Sequence, residues 1–240
     1  MQGMGKTTLL RDMHYLCTHH ASPSTFDHVF FLGDGTGCTV GRVQHVLSDY
    51  LDLPPPHRVS DVHPKLAKDI YASLKQKTFL LLLDDVRERL DLEAVVLPMP
   101  LRHKQKVIFT TRNHAACAEM GRTSSNIMQM RCWDEGAAWN LFKNRVGDQV
   151  INAHPHIKPL SKKMAAECRG LPSALDALGG FMSITTDIRE WRYVYGVLKT
   201  MRSSTNEIQE VDDEESFLYR LEEALNTPSF CHCKCVKRFQ

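Results

Sequence analysis

The chain has 240 residues, of which 42% are hydrophobic and 24% charged, so it contains enough apolar material for a folded core. Thirty basic and 28 acidic residues give a formal net charge of +2, which argues against a chain drawn as a whole onto nucleic acid or an anionic membrane. The apolar runs are much shorter than the roughly 20 residues of a membrane-spanning helix. We therefore expect a cytoplasmic protein with no membrane span and no nucleic-acid partner.

The first element in chain order is a phosphate loop that opens a helix. Gly3 and Gly5 precede Lys6, Thr7 and Thr8, and apolar residues then follow at helical spacing. Such a loop needs glycines so that backbone N–H groups can surround phosphate oxygens, a lysine to reach the β- and γ-phosphates, and a hydroxyl for Mg²⁺. The pattern therefore predicts a phosphate-binding site, with a capped helix start as the alternative.

Short apolar runs bounded by turn residues predict buried strands. They alternate with segments of helical periodicity, and this alternation is typical of βαβ units around a parallel sheet. The predicted strands are residues 29–32, 79–83, 107–110 and 127–130. The predicted helices between them are residues 40–51, 61–74 and 113–120.

From about residue 133 the strand signals stop and the pattern becomes helical. Asp134 predicts the N-cap of a first helix, and Pro172 occupies the start of a third, where its missing N–H costs nothing. Trp133, Trp139 and Trp191 are interpreted as core anchors. Residues 203–216 are polar and acidic and are interpreted as a linker, and a last short helix is predicted at 217–225.

The eight cysteines do not indicate a disulfide framework, because five are scattered singly along the chain. The other three, Cys231, Cys233 and Cys235, crowd at the end of the sequence. No partner pair at zinc-ligand spacing accompanies them, so an irregular tail is favoured over a metal site or a palmitoylation site.

A second chemical motif lies about 75 residues after the phosphate loop. The apolar run 79–83 ends in two carboxylates, Asp84 and Asp85, and an acid at the carboxyl end of a buried strand is where P-loop enzymes hold Mg²⁺. A third strand pattern, residues 106–112, ends in Arg112, which is suited to contact a γ-phosphate or to lie on the surface. Together these motifs predict a Walker B site beside the phosphate loop.

The order of these motifs resembles the NB-ARC nucleotide-binding module of plant disease-resistance NLR proteins. Further segments are similar to motifs of that family: F-D-H-V-F at 26–30, W-N-L-F at 139–142 and C-R-G-L-P-S-A-L at 168–175. The resemblance covers most of the chain. It implies an adenine-nucleotide switch in plant defense that holds ADP when resting and exchanges it for ATP when activated.

The resemblance also implies roles for single residues. Gly3, Gly5, Lys6 and Thr8 would contact phosphates, and Thr7 and Asp84 would hold Mg²⁺. Asp85 would be the catalytic residue that positions or activates water, Arg112 would sense the γ-phosphate, and Pro172 would lie against the nucleotide. Such a switch would be at most a slow ATPase.

The resemblance also implies a division of the chain. We expect an α/β fold with a P-loop NTPase parallel sheet at residues 1–132, a small helical ARC1-like subdomain at 133–201, and an acidic linker with a remnant of a winged-helix subdomain at 202–240. The expected partners are adenine nucleotide and other domains of a full-length or related receptor.

The sequence also departs from the family pattern. Ser173 replaces the usual Leu, Arg87 stands where relatives commonly have Trp, and no M-H-D motif follows. Counting back along G-x-x-x-x-G-K places the first Gly one residue before Met1, so the strand that feeds the loop is expected upstream. Residues 1–240 alone are therefore expected to be poorly soluble or molten, with weak or no ADP binding, and about ten family-like upstream residues are expected to rescue both properties.

Two rival functions remain open on the sequence. The chain could be a truncated interaction or decoy fragment that keeps the surfaces of the family without binding nucleotide. It could also be a general P-loop ATPase or kinase that acts on a small substrate.

Overall fold

The computed structural model describes residues 3–20, 26–33, 37–54, 62–95, 97–119, 126–203 and 214–226. The chain divides into two compact units: a sheet unit, Lys6–Gln129, and a helical unit formed by Met1–Gly5 with Met130–Gln240. Most of the predicted acidic linker and all three terminal cysteines lie outside the described residues.

Among its described residues, the sheet unit has three parallel strands in the order β1-β2-β3. They are β1 (His28–Leu32), β2 (Phe79–Leu83) and β3 (Gln105–Phe109). Every residue of the central strand β2 is buried, which is why its sequence is an unbroken apolar run rather than an alternating one. The prediction of an α/β fold with a parallel sheet is confirmed.

Helices cover both faces of the sheet, because alternate residues of each strand point to opposite sides. On one face Leu10 of the first helix packs with Leu80 and Leu82. On the other face Leu81 and Leu83 join the second and third helices in the larger core of the unit. The described helices of this unit are α1 (Lys6–Tyr15), which continues as a π-helical turn (Leu16–His20), α2 (Val40–Tyr50), α3 (Pro64–Leu74) and α4 (His114–Glu119).

The predicted strand at residues 127–130 is wrong. These residues have no regular structure, and the side chain of Met128 is 75% exposed. A strand forms only where a neighbouring strand takes up its backbone N–H and C=O groups, and the described part of the sheet pairs β3 with β2 alone. The apolar composition of residues 127–130 therefore predicted a strand, but the described residues provide no neighbouring strand for it to pair with.

The helical unit contains six helices among its described residues. Asp134 caps the first of them as predicted, since its carboxylate accepts the N–H of Ala137 at 2.9 Å. They are α5 (Glu135–Val146), α6 (Asp148–Ile151), α7 (Ile157–Glu167), α8 (Pro172–Met182), α9 (Ile188–Ser203) and α10 (Glu214–Asn226). The short α6 is the one that the periodicity did not predict.

The three tryptophans differ in environment. Trp191 is fully buried in the core of the helical unit, and Trp139 packs against that core, as expected. Trp133 is 42% exposed, so its interpretation as a core anchor is wrong. Its backbone explains its position: the Trp133 N–H donates to Gly170 O at 2.8 Å, and a Cβ on Gly170 would collide with the Trp133 carbonyl oxygen.

None of the helices in the described ranges is both long enough and apolar enough to cross a membrane.

The residues directly before β1 and β2 are joined by hydrogen bonds of a side chain. The carboxylate of Asp27 accepts the backbone N–H of Thr78 at 2.7 Å and its hydroxyl at 3.0 Å. In return, the Asp27 N–H donates to the Thr78 carbonyl at 2.9 Å. These hydrogen bonds favour the charged form of the carboxyl group and lower the pKa of Asp27.

We expect Asp27→Asn to destabilise the protein in a pH-dependent way. Because the folded pKa of Asp27 lies below its unfolded value, its contribution to stability is complete above about pH 4 and is lost as the pH falls through the folded value. Urea unfolding of both proteins at pH 7, 5 and 3 measures the difference, which should be the same at pH 7 and 5 and smaller at pH 3. In a Thr78→Val background, which removes the hydroxyl and keeps the backbone N–H, the substitution should have a reduced effect, and a difference independent of pH would contradict the prediction.

Candidate functional site

Asp84 lies at the carboxyl end of β2, where the fold brings two hydroxyl groups to its carboxylate. Thr7, in the first turn of α1, donates to one carboxylate oxygen at 2.7 Å, although the two residues are 77 positions apart. Thr110, directly after β3, donates to the other oxygen at 2.5 Å. Asp84 is only 8% exposed, so these hydrogen bonds replace most of its contact with water. The structure thus brings together the two predicted metal ligands, Thr7 and Asp84.

Sequence reasoning missed Thr110, which connects the carboxylate of Asp84 to the backbone of Asp85. Its hydroxyl donates to Asp84 and accepts the backbone N–H of Asp85 at 3.0 Å. The signal for it was the parallel pairing, because Leu83 pairs with Phe109 and the next residues, Asp84 and Thr110, then stand side by side. Two polar residues at the carboxyl ends of neighbouring parallel strands are therefore a detectable pair.

Asp85, the predicted catalytic residue, has surroundings that differ from those of Asp84. Its backbone adopts a left-handed conformation with φ of 57°, which is uncommon for a residue other than glycine and is tolerated best by Asn and Asp. One carboxylate oxygen lies 3.3 Å from Nε of Arg112, and the other accepts Nε–H of Arg87 at 2.9 Å. The structure therefore brings the predicted residues Asp85 and Arg112 together and adds Arg87.

The phosphate-loop glycines are required by backbone conformation. Gly3 and Gly5 have φ of 75° and 84°, in the left-handed region, and a Cβ on Gly5 would meet no atom within 4 Å. Space is thus available at Gly5, and the torsion angle is what favours glycine. Lys6 begins α1 directly after this turn, and Thr8 is exposed on the same helix.

The start of the phosphate loop is held by the helical unit. Gly3 O accepts the N–H of Ser173 at 3.2 Å, next to Pro172 at the first position of α8. Met4 is buried in the core of that unit, with its sulfur 3.9 Å from Sγ of Cys132. Ser173 has a buried hydroxyl with no hydrogen-bond partner in the described part of the chain. Pro172 therefore directly precedes Ser173, the residue whose N–H is hydrogen-bonded to the carbonyl of Gly3.

The oxygen donors at Asp84 fit a magnesium ion. Mg²⁺ prefers oxygen ligands and is usually held by one or two protein groups together with water and substrate phosphates. A threonine hydroxyl beside a strand-end carboxylate provides this partial set. The described residues contain no group of three or more His, Cys, Asp or Glu side chains placed for a metal ion, so the remaining ligands of such an ion would be phosphate oxygens and water.

Comparison with known proteins assigns the chain to a family. A phosphate loop that opens a helix beside the carboxylate of a parallel strand defines a P-loop NTPase fold. Residues 1–152 match the NB-ARC domain, a nucleotide-binding domain that generally works with a divalent metal. The chain belongs to the NB-ARC family.

Curated relatives from Arabidopsis thaliana agree with this assignment. Disease resistance protein UNI is 37% identical over 210 residues, which are 87% of this chain and 23% of that protein. Disease resistance protein RFL1 is 34% identical over 215 residues, 89% of this chain and again 23% of the relative. The chain thus spans less than a quarter of the length of these relatives.

We expect Thr110→Val to destabilise the protein although it preserves the shape of the side chain. The substitution removes the hydroxyl that serves both Asp84 and the Asp85 N–H, and a buried group left without its partner costs about 1–3 kcal/mol. The free energy of unfolding from urea titration measures the loss. Thr110→Ser keeps the hydroxyl and should recover most of the stability, whereas equal losses in both variants would show that the methyl group matters instead.

Proposed function

We propose that this chain binds ADP and ATP with Mg²⁺ and acts as the nucleotide switch of a plant immune receptor. The observation that carries the proposal is the 2.7 Å hydrogen bond between Thr7 and Asp84, which joins the phosphate loop to the carboxyl end of β2. The names of the relatives support a role in plant disease resistance. Because the chain spans less than a quarter of them, its place in a receptor is itself part of the proposal.

The phosphate groups would be bound by the loop and the first turn of α1. Backbone N–H groups around Gly3 and Gly5 would surround the phosphate oxygens, together with those at the start of the helix at Thr8. Lys6 would add a positive charge on the outer phosphates. Thr7 and Asp84 would hold Mg²⁺, and the ion would neutralise charge on the phosphate oxygens.

The residues beside the metal site would respond to the γ-phosphate. Asp85 would position or activate water, Arg112 would contact the γ-phosphate, and Pro172 would lie against the nucleotide. Both carboxylate oxygens of Asp85 are engaged by arginines, which supports slow hydrolysis, because these contacts compete with an attacking water for the same oxygens. A switch also requires that its bound state persist.

The division of labour along the chain belongs to the same proposal. Residues 1–132 would bind nucleotide, residues 133–201 would form the ARC1-like subdomain, and residues 202–240 would lead into the next subdomain. Other domains of the full-length receptor would be the protein partners, and the cytoplasm would be the site of action.

In a protein extended by a family-like upstream strand, Lys6→Ala should weaken ADP binding, because a point charge on the β-phosphate is lost. Hydrogen bonds to charged groups contribute about 1.5–3 kcal/mol, so the dissociation constant in isothermal titration should rise by about 10- to 100-fold. Arg11→Ala removes an exposed cation from the same helix and should leave the affinity unchanged. Equal ADP affinity in Lys6→Ala and the unchanged protein would remove Lys6 from the site, and absence of nucleotide binding would favour the interaction fragment.

The two carboxylates should have separable roles. Asp84→Ala should lower Mg²⁺-dependent ATP binding, whereas Asp85→Ala should slow hydrolysis and leave ATP bound. Single-turnover hydrolysis and the Mg²⁺ dependence of ATP binding measure the two effects. Identical defects would contradict the assignment, and strong stimulation of turnover by a second substrate would favour a general ATPase or kinase.

A further inference from the structure

The carboxylate of Asp85 is shared by two arginines that approach different oxygens. Arg87 Nε lies 2.9 Å from Oδ2, and Arg112 Nε lies 3.3 Å from Oδ1. The Asp85 side chain is only 15% exposed, whereas those of Arg87 and Arg112 are 63% and 44% exposed. A partly buried carboxylate therefore has two cationic partners, both of which reach it from more exposed positions.

The backbone keeps Arg87 beside Asp85 independently of the side chain of Arg112. The Val86 N–H donates to the carbonyl of Thr110 at 2.8 Å, which holds the segment after β2 against the end of β3. The carbonyl of Arg87 lies 3.5 Å from Nδ2 of Asn113. Arg87 is also only two positions from Asp85 in the chain, so the ion pair can persist when the Arg112 side chain moves.

The consequence appears when a nucleoside triphosphate binds, so this inference rests on the proposed function. The γ-phosphate would draw Arg112 away from Asp85, and a partly buried carboxylate that loses its only cation is strongly disfavoured. With Arg87 in place, Asp85 keeps one ion pair while Oδ1 becomes available to water. A diphosphate makes no such demand, because Arg112 can stay on Asp85.

We propose that Arg87 is a specificity-determining positioning residue, which holds Asp85 when Arg112 turns to the γ-phosphate and thereby favours ATP over ADP. Arg87 acts through the carboxylate of Asp85 and not by touching phosphate. Its effect is therefore confined to the triphosphate and depends on the negative charge of Asp85.

The test is a double-mutant cycle on nucleotide affinity, with no turnover required. Dissociation constants for ADP and for a non-hydrolysable ATP analogue, each with Mg²⁺, are measured on the protein extended by a family-like upstream strand, and on its Arg87→Gln, Asp85→Asn and double variants. Arg87→Gln should weaken binding of the ATP analogue about five- to tenfold and change ADP binding less than twofold. In the Asp85→Asn background the same substitution should change neither affinity by more than twofold.

Two further variants separate this role from general charge and from folding. Arg89→Gln removes an exposed cation two residues away, for which the described structure shows no ion pair with Asp85, and should change both affinities less than twofold. Arg87→Lys retains a cation and should restore part of the preference for the triphosphate. Far-ultraviolet circular dichroism should be the same for all variants.

Each remaining outcome counts against the proposal. Equal weakening of ADP and ATP-analogue binding by Arg87→Gln would indicate general electrostatic attraction. A loss of triphosphate affinity that persists with Asp85→Asn would indicate direct contact with phosphate. If the extended protein without substitutions binds neither nucleotide, the proposed function fails together with this inference, whereas normal binding with an inert Arg87 overturns the inference alone.

Discussion

The carboxylate of Asp84 is nearly buried, and its oxygens must therefore be hydrogen-bonded within the protein because little water reaches them. Its two oxygens accept hydroxyl groups from Thr7 at the start of α1 and Thr110 at the end of β3. Three segments distant in sequence are thereby held at one point, at the carboxyl edge of the sheet. The rest of the site follows from this constraint, because Thr110 also fixes the backbone of Asp85.

Asp84 and Asp85 are adjacent in sequence but differ in their partners. Asp84 accepts hydrogen bonds from two neutral hydroxyl groups. Asp85 instead has ion pairs with Arg87 and Arg112. The surroundings of the two adjacent carboxylates thus differ, and under the proposed function Asp84 would hold a metal ion while the arginines at Asp85 would face an anion.

Most of the fold could be predicted from the sequence, because its elements follow local rules. The apolar run 79–83, the cap at Asp134 and the proline at position 172 each indicated an element that the structure contains. Residues 127–130 are also mostly apolar but form no strand, since a strand depends on a neighbour that local sequence does not specify. Trp133 is exposed for a similar reason, because its backbone contact with Gly170 determines its position.

The sequence by itself determined the candidate site residues: the phosphate loop, the carboxylates after β2 and the arginine after β3 each stand in a recognisable pattern of neighbours. Only the tertiary structure decided how they combine. Thr110 became part of the site through the register of β3 on β2, and Arg87 through the left-handed turn at Asp85. The physical reason is that a motif records the order of residues along the chain, whereas a hydrogen bond or an ion pair depends on distances between atoms that folding sets.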